Sequence, residues 1–292
     1  MIYILLSIIC SSSLFLLFKF FETQKIDIFQ AIVANYLVAS VFGFLRAESI
    51  SENIMYQNWF THALITGVLF IFMFYAIAFT SQKIGPSVAS VANKLSVVIP
   101  VFFAVVLYND SVSFFKMAGI ALALLGVYLA TQKTSNQIQI KKWQGIALVV
   151  FLFIGNGLLD SYLNFIEKNY LSEINVLFFT PVIFSAAFCI GITVLFYKIV
   201  FLKNNLSAKS IIYGFFLGIV NYGSIVFLIK SLQLTNVESS VVFPLNNIGI
   251  VVATSVSSFF IFKEKMSKKN VFGIFLSAVA IFLIAFSEVY ND

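Results

Sequence analysis

The chain has 292 residues, 61% of them hydrophobic and 10% charged, with a mean hydropathy of +1.01. A soluble domain carries roughly 25% charged residues, so this chain cannot cover its surface with polar groups in water, and lipid must do so. Its net charge of +6 comes largely from lysines in short loops between apolar runs, a pattern of charge asymmetry across a membrane rather than a basic face for nucleic acid.

A helix crossing hydrocarbon needs about 20 mostly apolar residues. Ten such spans are predicted, near 2–21, 28–45, 59–80, 87–108, 114–131, 143–164, 175–197, 211–232, 239–262 and 270–287. All are expected to be helices, because unpaired backbone groups are costly in lipid. Trp59 and Trp143 open the third and sixth spans, where interfacial aromatics are expected. The first residues, 1–6, lack the basic start of a cleavable signal. Residues 132–142 are the most polar stretch of their length and read as a linker. It divides the chain into a first five-helix repeat (1–131) and a second (143–292).

The second half repeats the first at a shift of 154 residues. Asp110, Ser113, Gly119, Ala123 and Gly126 reappear as Glu264, Ser267, Gly273, Ser277 and Ala280. An acid in a short loop is followed by a helix bearing a stripe of small residues, which reads as close helix packing. Five spans per half is an odd number, so the halves are expected to insert with opposite orientation, as in many secondary transporters. Loop charge agrees: 109–115 is nearly uncharged, whereas its counterpart 263–269 is strongly basic. Loops after odd-numbered spans carry Lys19, Lys25, Lys83, Lys133, Lys141, Lys142, Lys198, Lys203, Lys209, Lys263, Lys265, Lys268 and Lys269. The other side carries Arg46, Lys116, Lys168 and Lys230. The lysine-rich side is expected to be cytoplasmic, which puts both termini outside.

Polar residues inside spans are the candidates for function. An ionisable side chain at membrane depth costs at least ~2.5 kcal/mol on insertion scales and normally faces a bundle interior or an aqueous cavity. Lys94 is the basic residue well inside a span, roughly 10 Å along its helix. Asp160 is the acidic counterpart, roughly 25 Å along the sixth span, which makes Asp160 and Lys94 the candidates for proton coupling. Asn93 and Asn247 are partners at the repeat shift, and Asn246, Asn35, Asn156 and Asn221 add amides inside spans. Each alone could be an interhelical hydrogen bond worth ~1 kcal/mol or less. Together, in a chain with so few polar residues to place, they predict a water-accessible pathway. Pro100 and Pro244 are expected to interrupt the fourth and ninth spans, each leaving a carbonyl free.

Enzyme signatures are not found. His62 is the single histidine, near a span end and without a carboxylate cluster, and there is no glycine-rich phosphate loop. Cys10 and Cys189 both fall in apolar spans, without metal or disulfide spacing. No cofactor and no metal are expected.

The segments around Pro100, through Asp110 to Gly119, and from Pro244 through Lys263-Glu264-Lys265 to Gly273, resemble the drug/metabolite transporter superfamily, in its EamA-like ten-helix branch. Asn109-Asp110 stands where the branch usually has a glycine-glutamate pair. The resemblance implies alternating access about a cavity lined by spans from both halves, notably the fourth and ninth, and cytoplasmic termini, opposite to the charge count. The expected function is secondary active transport of a small polar metabolite across the inner (plasma) membrane, by a monomer, with a proton or another ion as candidate co-substrate. The alternatives are an exporter of lipophilic cations or drugs, and a non-transporting membrane scaffold.

Overall fold

The computed structural model describes residues 2–46, 54–100, 102–103, 114–130, 142–170, 173–234, 239–263 and 266–289. Among them are ten α-helices: α1 (Ile2–Thr23), α2 (Ile28–Arg46), α3 (Phe60–Lys83), α4 (Pro86–Leu95), α5 (Phe114–Ala130), α6 (Lys142–Tyr170), α7 (Glu173–Val200), α8 (Ala208–Leu234), α9 (Ser239–Phe262) and α10 (Lys268–Val289). Six of the described helices are long and apolar enough to cross a membrane: α1, α2, α3, α6, α7 and α8. Of the repeat pattern, Asp110, Ser113 and Glu264 lie outside the described residues, as does the expected linker apart from Lys142, which opens α6.

Helix ends follow local chemistry. Asp27 caps α2, its Oδ1 accepting from the Phe29 and Gln30 N–H groups at 2.9 and 3.0 Å, which satisfies donors that the first turn leaves unpaired. At the end of α1, Lys25 takes a left-handed φ of 53°. Its N–H reaches the Glu22 carbonyl and the Ile26 N–H reaches that of Phe21, closing a Schellman motif on a lysine. Lys203 and Lys263 are left-handed beyond α7 and α9. Glycine is the usual residue there. A lysine accepts the strain while placing a cation near the negative end of a helix dipole.

The chain forms two compact units. Unit 2 comprises 20–76 and 159–222. At its centre α2 packs against α7 and α8. Gly43 of α2 meets Pro181 of α7, Ser40 shares a 2.6 Å hydrogen bond with Ser185, and Val33 meets Gly191. Numbers fall along one helix as they rise along the other, so α2 and α7 are antiparallel. Against α8 the order runs the same way on both: Ala31 meets Gly214, Val38 meets Gly218 and Phe42 meets Tyr222, a parallel pair. A Cβ on Gly214 would strike the Ala31 carbonyl oxygen, and one on Gly218 would lie 2.9 Å from that of Asn35. These two glycines, four residues apart, let the backbones of α2 and α8 touch.

Unit 1 comprises 1–19, 77–158 and 223–292. There α5 packs along α10, and α4 and α9 pack against each other and against that pair. Asn270 Nδ2 donates to the Leu129 carbonyl, while a Cβ on Gly126 would lie 2.7 Å from Ser277 Oγ; α5 and α10 are therefore antiparallel too. The core includes Val91, Leu95 and Val98 with Ala123, Val251, Ala280 and Ile281. Gly126 and Ser277, marked in the sequence as packing residues, meet in this interface.

Candidate functional site

The fourth span is discontinuous. α4 opens on Pro86, preformed for the first helical position, and ends at Leu95; Ser96 and Val97 form a turn, and residues 98–100 and 102–103 are helical again. The cause lies four residues on. Pro100 has no N–H to offer the Ser96 carbonyl, which accepts instead from the Ile99 N–H at 2.9 Å, in a tighter three-residue closure. Ser96 Oγ donates to the Asn93 carbonyl at 2.5 Å. The interruption expected from Pro100 is present, but the carbonyl expected to be free is occupied. α9, by contrast, runs unbroken from Ser239 to Phe262 through position 244. A proline this near a helix start removes one bond of the second turn, and that does not end the helix.

Asn93 and Lys94 are the last polar residues before the break. Both are half-buried, on a helix whose other faces are closed: Ser87 and Ser90 are buried, and Val91 and Leu95 lie in the core. On α9, which packs against α4, Asn246 is buried with its Oδ1 unpartnered, and Asn247 is half-buried. A buried amide oxygen without a donor is costly, and it is the kind of group that a bound ligand or water satisfies. Asn156 is buried but turned on its own helix, donating through Nδ2 to the Leu152 carbonyl at 2.9 Å.

In unit 2, two amides treated separately in the sequence come together. Asn221 Nδ2 donates to Asn35 Oδ1 at 3.1 Å, both residues buried, and Asn35 Nδ2 has no partner. Asp160 is exposed on α6, near the end of the apolar stretch Trp143–Leu163. His62, the single histidine, lies 2.8 Å through Nδ1 from the Tyr162 hydroxyl, with the Tyr170 ring tilted against it at 4.4 Å between centroids. A second polar junction joins the α1–α2 connection to the one between α7 and α8. Asp27 N–H donates to Ser210 Oγ, and Gln30 donates to the Asn205 carbonyl and accepts from the Ser207 N–H. Its signal in the sequence is an amide and a carboxylate at the mouth of an apolar span, which do not by themselves say what they meet.

Comparisons with known proteins agree with this architecture. The pattern of the EamA-like transporter family matches residues 1–132. An uncharacterized protein of Haemophilus influenzae (strain ATCC 51907 / DSM 11121 / KW20 / Rd) is 27% identical over 292 residues, covering 98% of each chain. A protein of known crystal structure superposes with a TM-score of 0.61 over 97% of this chain and 94% of its own, at 12% identity, which is a likeness of fold. Over residues 1–132 the chain is similar to the EamA-like transporter family, and its long apolar helices make it a multi-pass integral membrane protein.

Proposed function

We propose that this protein is a secondary active transporter that moves a small polar metabolite across the inner (plasma) membrane by alternating access, acting as a monomer. The observation that carries the reading is the antiparallel packing of helices at equivalent positions of the two halves. α2 pairs with α7 and α5 with α10, each at the 154-residue shift and each running opposite to its partner. Antiparallel equivalents are what an inverted repeat of 1–131 on 143–292 produces, and such repeats underlie rocking-type transport.

The substrate site in this reading is the end of α4 with the facing part of α9. Lys94 attracts an anionic group, and Asn93, Asn246 and Asn247 supply hydrogen bonds. Asn35, Asn156 and Asn221 belong to the same polar pathway, and Asp160 or Lys94 carries a coupled proton. Support comes from the helix break just past Lys94, a feature of transporter binding sites, and from the unpartnered Asn246 Oδ1.

A thermal-shift screen of purified protein in detergent against anionic, zwitterionic and cationic metabolites tests the reading, since a ligand bound only by the folded state raises the apparent stability. Stabilisation by an anionic or zwitterionic metabolite, lost in Lys94→Ala, is expected. Stabilisation by lipophilic cations alone would favour drug export, and no stabilising ligand would favour a scaffold.

A further inference from the structure

We propose that the groove between the C-terminal part of α9 and the start of α10 is a specific site for one anionic phospholipid of the bilayer. The groove has a volume of about 320 Å³ and is lined by Val252, Val256, Phe259 and Phe260 of α9, Val271 of α10 and Met266 between them. The walls are apolar, and the valines and phenylalanines are well exposed. By helix rise, Val252 to Phe260 spans about 12 Å, a slot along the helix rather than a flat patch. Such a surface suits an acyl chain.

Two features set it apart from ordinary lipid-facing surface. Ser255 lines the groove, is 96% buried by its 4% exposure, and its hydroxyl has no hydrogen-bond partner. An ester carbonyl of a glycerophospholipid is the acceptor that this hydroxyl lacks. At the same end the charge is predominantly positive: the segment 263–269 holds four lysines against a single glutamate. Lys263, Lys268 and Lys269 are exposed there. Lys268 and Lys269 occupy the first turn of α10, where the positive end of the helix dipole favours acids and disfavours cations. An anion resting on that turn relieves the repulsion and meets dipole and lysines together. The turn is firmly built, with Ser267 Oγ accepting from the Asn270 N–H, and Asn270 Oδ1 accepting from both the N–H and the hydroxyl of Ser267. A phosphate headgroup on the lysines and a chain in the slot fit one molecule.

The test is native mass spectrometry of delipidated full-length protein, titrated with phosphatidylglycerol or with phosphatidylcholine of the same acyl chains. One phosphatidylglycerol per protein is expected to be retained in preference to phosphatidylcholine. At about 1 kcal/mol per lysine near an anionic surface, Lys268→Gln and Lys269→Gln should each weaken retention roughly fivefold, while Val256→Trp, which fills the slot from its exposed side, should abolish it. Equal retention of the two lipids by wild type, or retention indifferent to all three substitutions, would overturn the site, as would a protein dimer that Val256→Trp dissolves.

Discussion

Asn35 and Asn221 are joined side chain to side chain across α2 and α8, 186 residues apart in sequence, with one amide proton pair of Asn35 left buried and unpartnered. The contact is possible because Gly218, one turn before Asn221, lets the backbones approach. An interhelical amide pair in a membrane protein contributes ~1 kcal/mol or less. Replacing only Asn221 strands Asn35 entirely, at a cost of about 1–3 kcal/mol. Asn221→Leu should therefore destabilise more than the double variant Asn35→Leu/Asn221→Leu. Denaturant unfolding in detergent reads the difference; additive losses would show that the two amides are uncoupled.

Glycines of α8 separate packing from tolerance. Gly214→Ala drives a methyl group into the Ala31 backbone, which cannot move aside as a flexible side chain would, whereas a Cβ at Gly223 would meet nothing closer than 3.6 Å. Gly214→Ala should cost about 2 kcal/mol or more. Gly223→Ala should be neutral or gain up to ~1 kcal/mol from helix propensity. Melting temperatures of the two variants check the contrast, and equal behaviour would contradict the close approach.

The break in the fourth span should be removable. Pro100→Ala restores an N–H for the Ser96 carbonyl and lets α4 run on. The variant is expected to melt higher than wild type and to transport several-fold more slowly. A variant with unchanged flux would mean that the discontinuity has no part in transport.

Charge and family resemblance disagree about orientation. In a background with Cys10 and Cys189 replaced, Lys203→Cys, between α7 and α8, and Met55→Cys, between α2 and α3, should be labelled by a membrane-impermeant thiol reagent from opposite sides. The lysine count puts Lys203 on the cytoplasmic side. The reverse result would give the chain the cytoplasmic termini that its resemblance implies.

Helix positions were largely legible because length and hydropathy alone determine a span; α9 occupies 239–262, the expected range. Pro100 gave the presence of a break, yet its place, four residues back at Ser96, follows from which carbonyl loses its donor. The four-residue spacing of Gly214 and Gly218 is plain in the chain, but spacing does not say that α2 is the helix whose backbone they admit. Asn35 with Asn221, and His62 with Tyr162, have no local signal. Their pairing depends on which helices become neighbours, and no periodicity within one helix carries that.

Uptake into proteoliposomes with and without a pH gradient, for wild type, Lys94→Ala and Asp160→Asn, tests the transport account most directly. Using a metabolite that stabilises the purified protein, wild type should show saturable flux. Lys94→Ala should lower it at least tenfold, and Asp160→Asn should remove its response to the gradient while leaving exchange intact. Flux unchanged in both variants would contradict the assigned pathway, and no flux in wild type would contradict transport itself.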